Sequence, residues 1–134
     1  MSGYVTDTHP LIWHMFGDRR LSAAAANVFS GADSGLHQIL IPSIVLVEVV
    51  YLAERNRIDP TTLDKVLSML DMASRNYEVA LLDIGVVQKL REMDSTRVPE
   101  MPDRIIVATA AHRGLNLLTR DRAIASPGLV GTVW

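Results

Sequence analysis

The chain has 134 residues, 49% of them apolar and 21% charged, with a formal net charge of −2 and a sequence pI of about 6.0. That size and balance suit one globular domain spanning 1–134. They exclude a disordered chain and a nucleic-acid binder that works by bulk positive charge, so any nucleic-acid contact must be local. There is no cysteine, which excludes disulfides, thiolate zinc sites and cysteine nucleophiles.

No apolar run approaches the roughly 20 residues that span a bilayer. The opening MSGYVTDTHP lacks a basic segment leading into an apolar one. A cytoplasmic protein without membrane contact is expected. Tyr4-Val5-Thr6 reads as a first strand ending at Asp7. Thr8-His9-Pro10-Leu11 reads as a helix entry, with Thr8 as a cap and Pro10 in the first turn, where its missing N–H does no harm. Leu11, Ile12, Met15 and Phe16 recur at helical spacing, and Gly17-Asp18-Arg19-Arg20 breaks the helix. Ser22 caps a second helix, Ala23 to Phe29, and Gly31 to Gly35 reads as a loop.

Leu36 to Ile41 is a second strand closed by Pro42. Ser43 opens an apolar segment running to about Arg57. Its β-branched content favours a strand, but its length favours a helix, because strands rarely exceed about ten residues. Asp59-Pro60 begins another helix with Leu63, Val66, Leu67 and Leu70 on a core face and Met69 and Met72 filling gaps. Tyr77 to Leu82 is a third strand. Asp83 caps a helix from Ile84 to about Met93, with Val86, Val87 and Leu90 inward. A polar loop, Asp94 to Pro102, leads to Asp103, which stands at the start of a helix that Gly114 stops after His112 and Arg113. Leu115 to Thr119 is a brief strand with Asp121 just beyond it, and Val130 to Trp134 could add a last one. The alternation predicts an α/β fold with a mainly parallel sheet and helices on both faces.

In such folds ligands bind at the rim where strands end and helices begin. Asp7 ends a strand, Asp121 follows another, and Asp103 begins a helix, so topology alone brings three acids to one rim. Capping also accounts for Asp103, and a turn role for Asp121. Glu48 is the fourth. Read as a strand, its face carries Ile44, Leu46, Val50 and Leu52; read as a helix, its neighbours are Ile44, Val45, Tyr51 and Leu52. An unpaired carboxylate in that company would be costly, so it should be protonated, paired or bound to a cation. A salt bridge to Arg55 or another arginine is the plainer alternative. Four carboxylates brought close repel one another unless a cation neutralises them. Oxygen donors without cysteine point to Mg²⁺, or Mn²⁺ as a substitute. Such ions support phosphodiester hydrolysis. Arg104, Arg120 and Arg122 flank the acids as phosphate contacts or solvated surface charges, and Thr119 and Thr8 stand beside them. No phosphate-binding glycine loop, dinucleotide fingerprint, H-E-x-x-H or nucleophile elbow is present. His9, His14, His37 and His112 form no tight metal spacing; His9 is close enough to Asp7 to touch the site, with a helix-entry or surface role as the plainer reading, and His112 reads as a helix C-terminal cation.

Val5-Thr6-Asp7-Thr8-His9-Pro10-Leu11-Ile12-Trp13, Pro42-Ser43 leading to Glu48, Asp103 to Ala110, and Leu118-Thr119-Arg120-Asp121-Arg122-Ala123-Ile124 together resemble the PIN domain. More narrowly they resemble VapC-type toxins of bacterial toxin–antitoxin pairs, over essentially the whole chain. The resemblance implies a three-layer α/β/α sandwich and a Mg²⁺-dependent endoribonuclease acting on RNA. It implies a small antitoxin that blocks the site, and a homodimer. By position, Asp7, Glu48, Asp103 and Asp121 match the family's metal-binding acids, and Thr119 matches a site hydroxyl. Pro10 departs from the pattern, where a small residue is usual, and the Asp94 to Pro102 loop has no family signature. A PIN nuclease of RNA processing or DNA repair fits the same residues. A receiver-like signalling module wants adjacent acids after the first strand and a C-terminal lysine, and a haloacid-dehalogenase phosphatase wants an acid where His9 stands. Neither pattern is met.

Overall fold

A computed structural model describes residues 2–71, 76–94, 96–125 and 130–134. Five strands form one sheet in the order β3-β2-β1-β4-β5, and every pairing is parallel. They are β1 (Ser2–Thr6), β2 (His37–Pro42), β3 (Tyr77–Ala80), β4 (Asn116–Leu118) and β5 (Thr132–Val133). Among the described residues seven helices connect and flank them: α1 (Thr8–Met15), α2 (Ala23–Asp33), α3 (Ser43–Glu54), α4 (Thr62–Asp71), α5 (Ile84–Glu92), α6 (Met101–Arg113) and α7 (Arg122–Ala125). This is the α/β architecture that the alternation predicts. The chain runs outward from β1 through β2 to β3, then returns to lay β4 on the other side of β1. The crevice beyond the ends of β1 and β4 is therefore the topological switch point, where such sheets bind ligands.

The strands are apolar because the sheet is covered. Val5, Ile39, Ile41, Leu117 and Leu118 are essentially inaccessible, as are Leu11, Phe29, Val45 and Ile106 from the helices. In α6 the six residues Ile105 to Ala110 are all buried, so the middle of this helix is enclosed on every side. Its exit is set by Gly114 at φ +66°, a left-handed turn that glycine adopts without cost.

Several local expectations are corrected. The α3 segment is a helix, as its length requires, but it stops at Glu54, and Asn56 takes the left-handed conformation after it. The cap of α1 is Asp7, whose carboxylate accepts from the Thr8 N–H at 2.7 Å; Thr8 is already inside the helix. Helix α2 runs on to Asp33, so Gly31 lies inside it, and a β-carbon there would stand 2.2 Å from the His37 ring. Helix α6 starts two residues earlier than Asp103 suggests, with Pro102 in its first turn, so Asp103 is a first-turn residue whose carboxylate is not spent on capping. Strand β3 ends at Ala80, leaving Leu81 and Leu82 exposed. Leu67 and Val87 are 42% and 49% exposed, so the inward faces of α4 and α5 are narrower than their periodicity predicts. Met72 lies outside the described residues. No helix among those described is long and apolar enough to cross a membrane.

Candidate active site

The switch-point crevice is a cavity of about 520 Å³ lined by Asp7, Glu48, Asp103 and Asp121, together with Thr8, His9, Pro10, Trp13, Arg20 and Arg120. The four acids come from four segments that the topology converges. Asp7 leaves β1, and its N–H donates to Leu118 O at 2.9 Å, which locks it to the end of β4. Thr119 is the next residue of that neighbouring chain, and its buried hydroxyl donates to Asp7 Oδ2 at 2.8 Å. Thr119 Oγ1 in turn accepts from the Asp121 N–H at 3.1 Å, so Thr119 couples the two aspartates. On the β2 side, the buried Thr8 hydroxyl donates to Glu48 Oε1 at 2.6 Å. Arg55 does not pair with Glu48; its guanidinium lies over the Tyr51 ring at 5.3 Å.

Burial raises the carboxyl pKa of Asp7, against the hydrogen bonds from Thr119 and Thr8 and the nearby His9, which favour ionisation; Asp121 adds to the rise. Burial also raises Glu48, opposed by the Thr8 bond and reinforced by Asp7. Asp103 is pushed up to about 7, first by burial and then by the charges of Asp7, Asp121, Glu48 and Glu100. The cavity therefore disfavours its own negative charge. Among the described residues no three acids or histidines close to joint ion-holding distance. The acids face one space while threonine hydroxyls and backbone amides hold Asp7 and Glu48 in place.

The arginines divide. Arg120 lines the cavity, whereas Arg104 turns its Nη2 toward Leu90 O on α5 at 3.3 Å and Arg122 is exposed on α7. Neither Arg104 nor Arg122 lines the cavity wall. Arg20 lines the cavity as well, although in sequence Gly17-Asp18-Arg19-Arg20 reads only as a helix break. His9 is not merely a helix-entry residue, since it too lines the wall, with its ring 5.6 Å from that of Trp13. Trp134 packs against Trp13 with ring centroids 5.8 Å apart, while Tyr51 is exposed. His112 sits in the last turn of α6 as expected and also lies 4.0 Å from Asp83.

A family model described as PIN domain matches residues 4–128. Ribonuclease VapC22 from Mycobacterium tuberculosis is 29% identical over 126 residues, covering 94% of this chain and 92% of that protein. Among solved structures, VapBC2 from Rickettsia felis bound to a promoter DNA fragment gives a TM-score of 0.70 at 15% identity. The match covers 97% of this chain and 96% of that one. DNA-bound VapBC from Salmonella typhimurium gives a TM-score of 0.69 at 19% identity, covering 98% and 97%. At these identities the solved structures establish the fold alone. The family match removes the receiver-like alternative.

Proposed function

We propose that this chain, which belongs to the PIN domain family and is homologous to VapC ribonuclease toxins, is a Mg²⁺-dependent endoribonuclease of a toxin–antitoxin pair. The observation that carries this reading is the convergence of Asp7, Glu48, Asp103 and Asp121 from four separate segments on the wall of one cavity, where burial and the other acids push the Asp103 carboxyl up to about 7. A site that resists its own ionisation to this degree suits a divalent cation, and an all-carboxylate donor set suits a hard one. Asp7, Glu48, Asp103 and Asp121 would hold it. When bound, such an ion neutralises the acids, acidifies water and steadies charge developing on a phosphate.

The protein's own part is positioning. Thr119 and the Thr8 N–H fix both oxygens of Asp7 at the centre of the site. Thr8 keeps Glu48 turned inward. Asp103 and Asp121 close the remaining wall. Arg120 faces the same space and is suited to a phosphate oxygen. The same reading gives the chain two protein partners. A small antitoxin would cover the cavity. A second copy would form a homodimer, supported by the exposed apolar side chains Leu81, Ile84 and Val87 after β3.

The test is cleavage of a pool of single-stranded RNA oligonucleotides by purified protein with Mg²⁺ or Mn²⁺. Cleavage is expected, and Asp7→Asn should abolish it while circular dichroism stays unchanged. Cleavage that survives excess chelator overturns the mechanism.

A further inference from the structure

We propose that Arg20 and Arg120, mounted on the buried indole of Trp13, form a two-pronged clamp for the RNA phosphates that flank the one being cut. This rests on the ribonuclease reading above and adds residues to it. Trp13 belongs to α1 and is 7% exposed. The Arg20 guanidinium carbon stands 5.0 Å from the centre of its ring, and that of Arg120 stands 5.6 Å away. Both distances are in the range where a cation is held by an aromatic face. The two arginines arrive from unrelated loops, Arg20 between α1 and α2 and Arg120 between β4 and α7. Both end on the wall of the carboxylate cavity.

Arg20 is further oriented by Asp18. Its Nε donates to Oδ1 at 3.1 Å and its Nη2 to Oδ2 at 2.8 Å, while its own backbone N–H donates to Oδ1 at 2.9 Å. This pairing uses the Nε–Nη2 edge of the fork and leaves Nη1 for another acceptor. An exposed ion pair of this kind contributes little to stability, so its value lies in setting direction. Arg20 also forms, with His9 and Trp13, the ridge between the carboxylate cavity and a neighbouring one of about 580 Å³. A strand leaving the acids on that side must cross the guanidinium. Four carboxylates repel an RNA backbone, and two fixed cations on their rim supply the attraction that the chain's negative net charge does not.

The experiment measures RNA cleavage in Mg²⁺, with the randomised oligonucleotide pool, across a salt series. Arg20→Ala and Arg120→Ala should each raise KM about tenfold and leave kcat within about twofold. The slope of log KM against log salt should fall by about 0.7 for each phosphate of a single strand that is no longer neutralised. Arg20→Lys should restore the salt slope but only part of the KM, because it keeps the charge and loses the fork. Trp13→Leu keeps both cations and should keep the salt slope, yet its KM should approach that of the double Arg20→Ala, Arg120→Ala variant; both arginine variants lie at the surface and test the clamp if Trp13→Leu does not fold. Unchanged KM and salt slope in Arg20→Ala, with active wild-type protein, overturn the clamp alone. A wild-type protein that cuts no RNA overturns the ribonuclease reading and the clamp with it.

Discussion

Thr8 and Glu48, 40 residues apart in sequence, share a 2.6 Å hydrogen bond that joins the first turn of α1 to the middle of α3. The donor is buried and the acceptor half-buried, so the bond holds the carboxylate against the cavity wall rather than letting it swing toward solvent. Thr8→Val keeps the shape and removes the donor. Supports of this type are worth roughly 10- to 100-fold in activity or metal affinity. The expected result is a loss of that order in kcat/KM for RNA cleavage with an unchanged circular dichroism spectrum, and near-complete recovery in Thr8→Ser. Full activity in Thr8→Val would remove Glu48's orientation from the account.

Asp103 gives a pH prediction with a definite sign. Its carboxyl titrates at about 7 in the fold against an ordinary value of 3.8. The folded state therefore holds the proton more tightly than the unfolded chain does. The associated stability is full below about pH 4 and is lost as pH rises through about 7. Asn cannot ionise and escapes that loss. In metal-free protein Asp103→Asn should raise Tm at pH 8, by roughly 3 °C for each kcal/mol relieved, and the gain should shrink toward pH 4. Thermal melts in chelator at several pH values decide it. A gain that is the same at pH 5 and pH 8 would assign the effect to packing instead.

The parts of this site that are legible in the sequence are those set by topology. Asp7 and Asp121 follow strands, and parallel strands place their carboxyl ends on one rim whatever the packing. Glu48 is legible because an acid inside Ile44 to Leu52 has no cheap way to be unpaired. Thr8 is legible as a residue beside the acids, but its bond to Glu48 is not, because nothing in the local pattern connects α1 to α3. Arg20 is hidden for a similar reason: the role proposed for it depends on the Trp13 ring and on the loop that follows β4, about a hundred residues away in sequence, and no local pattern pairs them. The start of α6 departs from its sequence reading because Asp is a good cap, whereas the chain uses Glu100 without a side-chain cap bond and leaves Asp103 facing the cavity.

A second polar cluster lies away from the acids and should behave as structure alone. Tyr77 donates its hydroxyl to Asp33 Oδ1 at 2.6 Å, and the His14 ring nitrogen Nε2 meets Asp33 Oδ2 at 3.0 Å, tying α1, α2 and β3 together. Burial raises the Tyr77 hydroxyl pKa, and the Asp33 carboxylate raises it further. Asp33→Ala leaves the phenol of a buried tyrosine without this acceptor, a loss of about 1–2 kcal/mol. Denaturant unfolding should register that loss while RNA cleavage at 25 °C stays within about twofold of wild type. A large fall in kcat would mean the cluster communicates with the cavity.

Metal binding and folding should be linked through Asp7. A ligand that binds only the folded state stabilises it by RT ln(1 + [L]/Kd), about 2.7 kcal/mol at a hundredfold excess over Kd. The wild-type cavity has a second source of gain, because neutralising Asp7, Glu48 and Asp103 relieves the repulsion and desolvation that raise their pKa values. Added Mg²⁺ should therefore raise Tm at pH 8, where the acids are most charged, and raise it less at pH 5, where protons already occupy part of the site. Asp7→Asn should start from a higher metal-free Tm at pH 8 and respond little to Mg²⁺. Thr119→Val should give an intermediate Mg²⁺ response from a metal-free Tm below wild type, since it keeps Asp7 but removes the buried hydroxyl that accepts from the Asp121 N–H and donates to Asp7 Oδ2. Scanning calorimetry of the three proteins, with and without Mg²⁺ at both pH values, gives the comparison. An equal Mg²⁺ response in wild type and Asp7→Asn would place the ion somewhere other than among these four carboxylates.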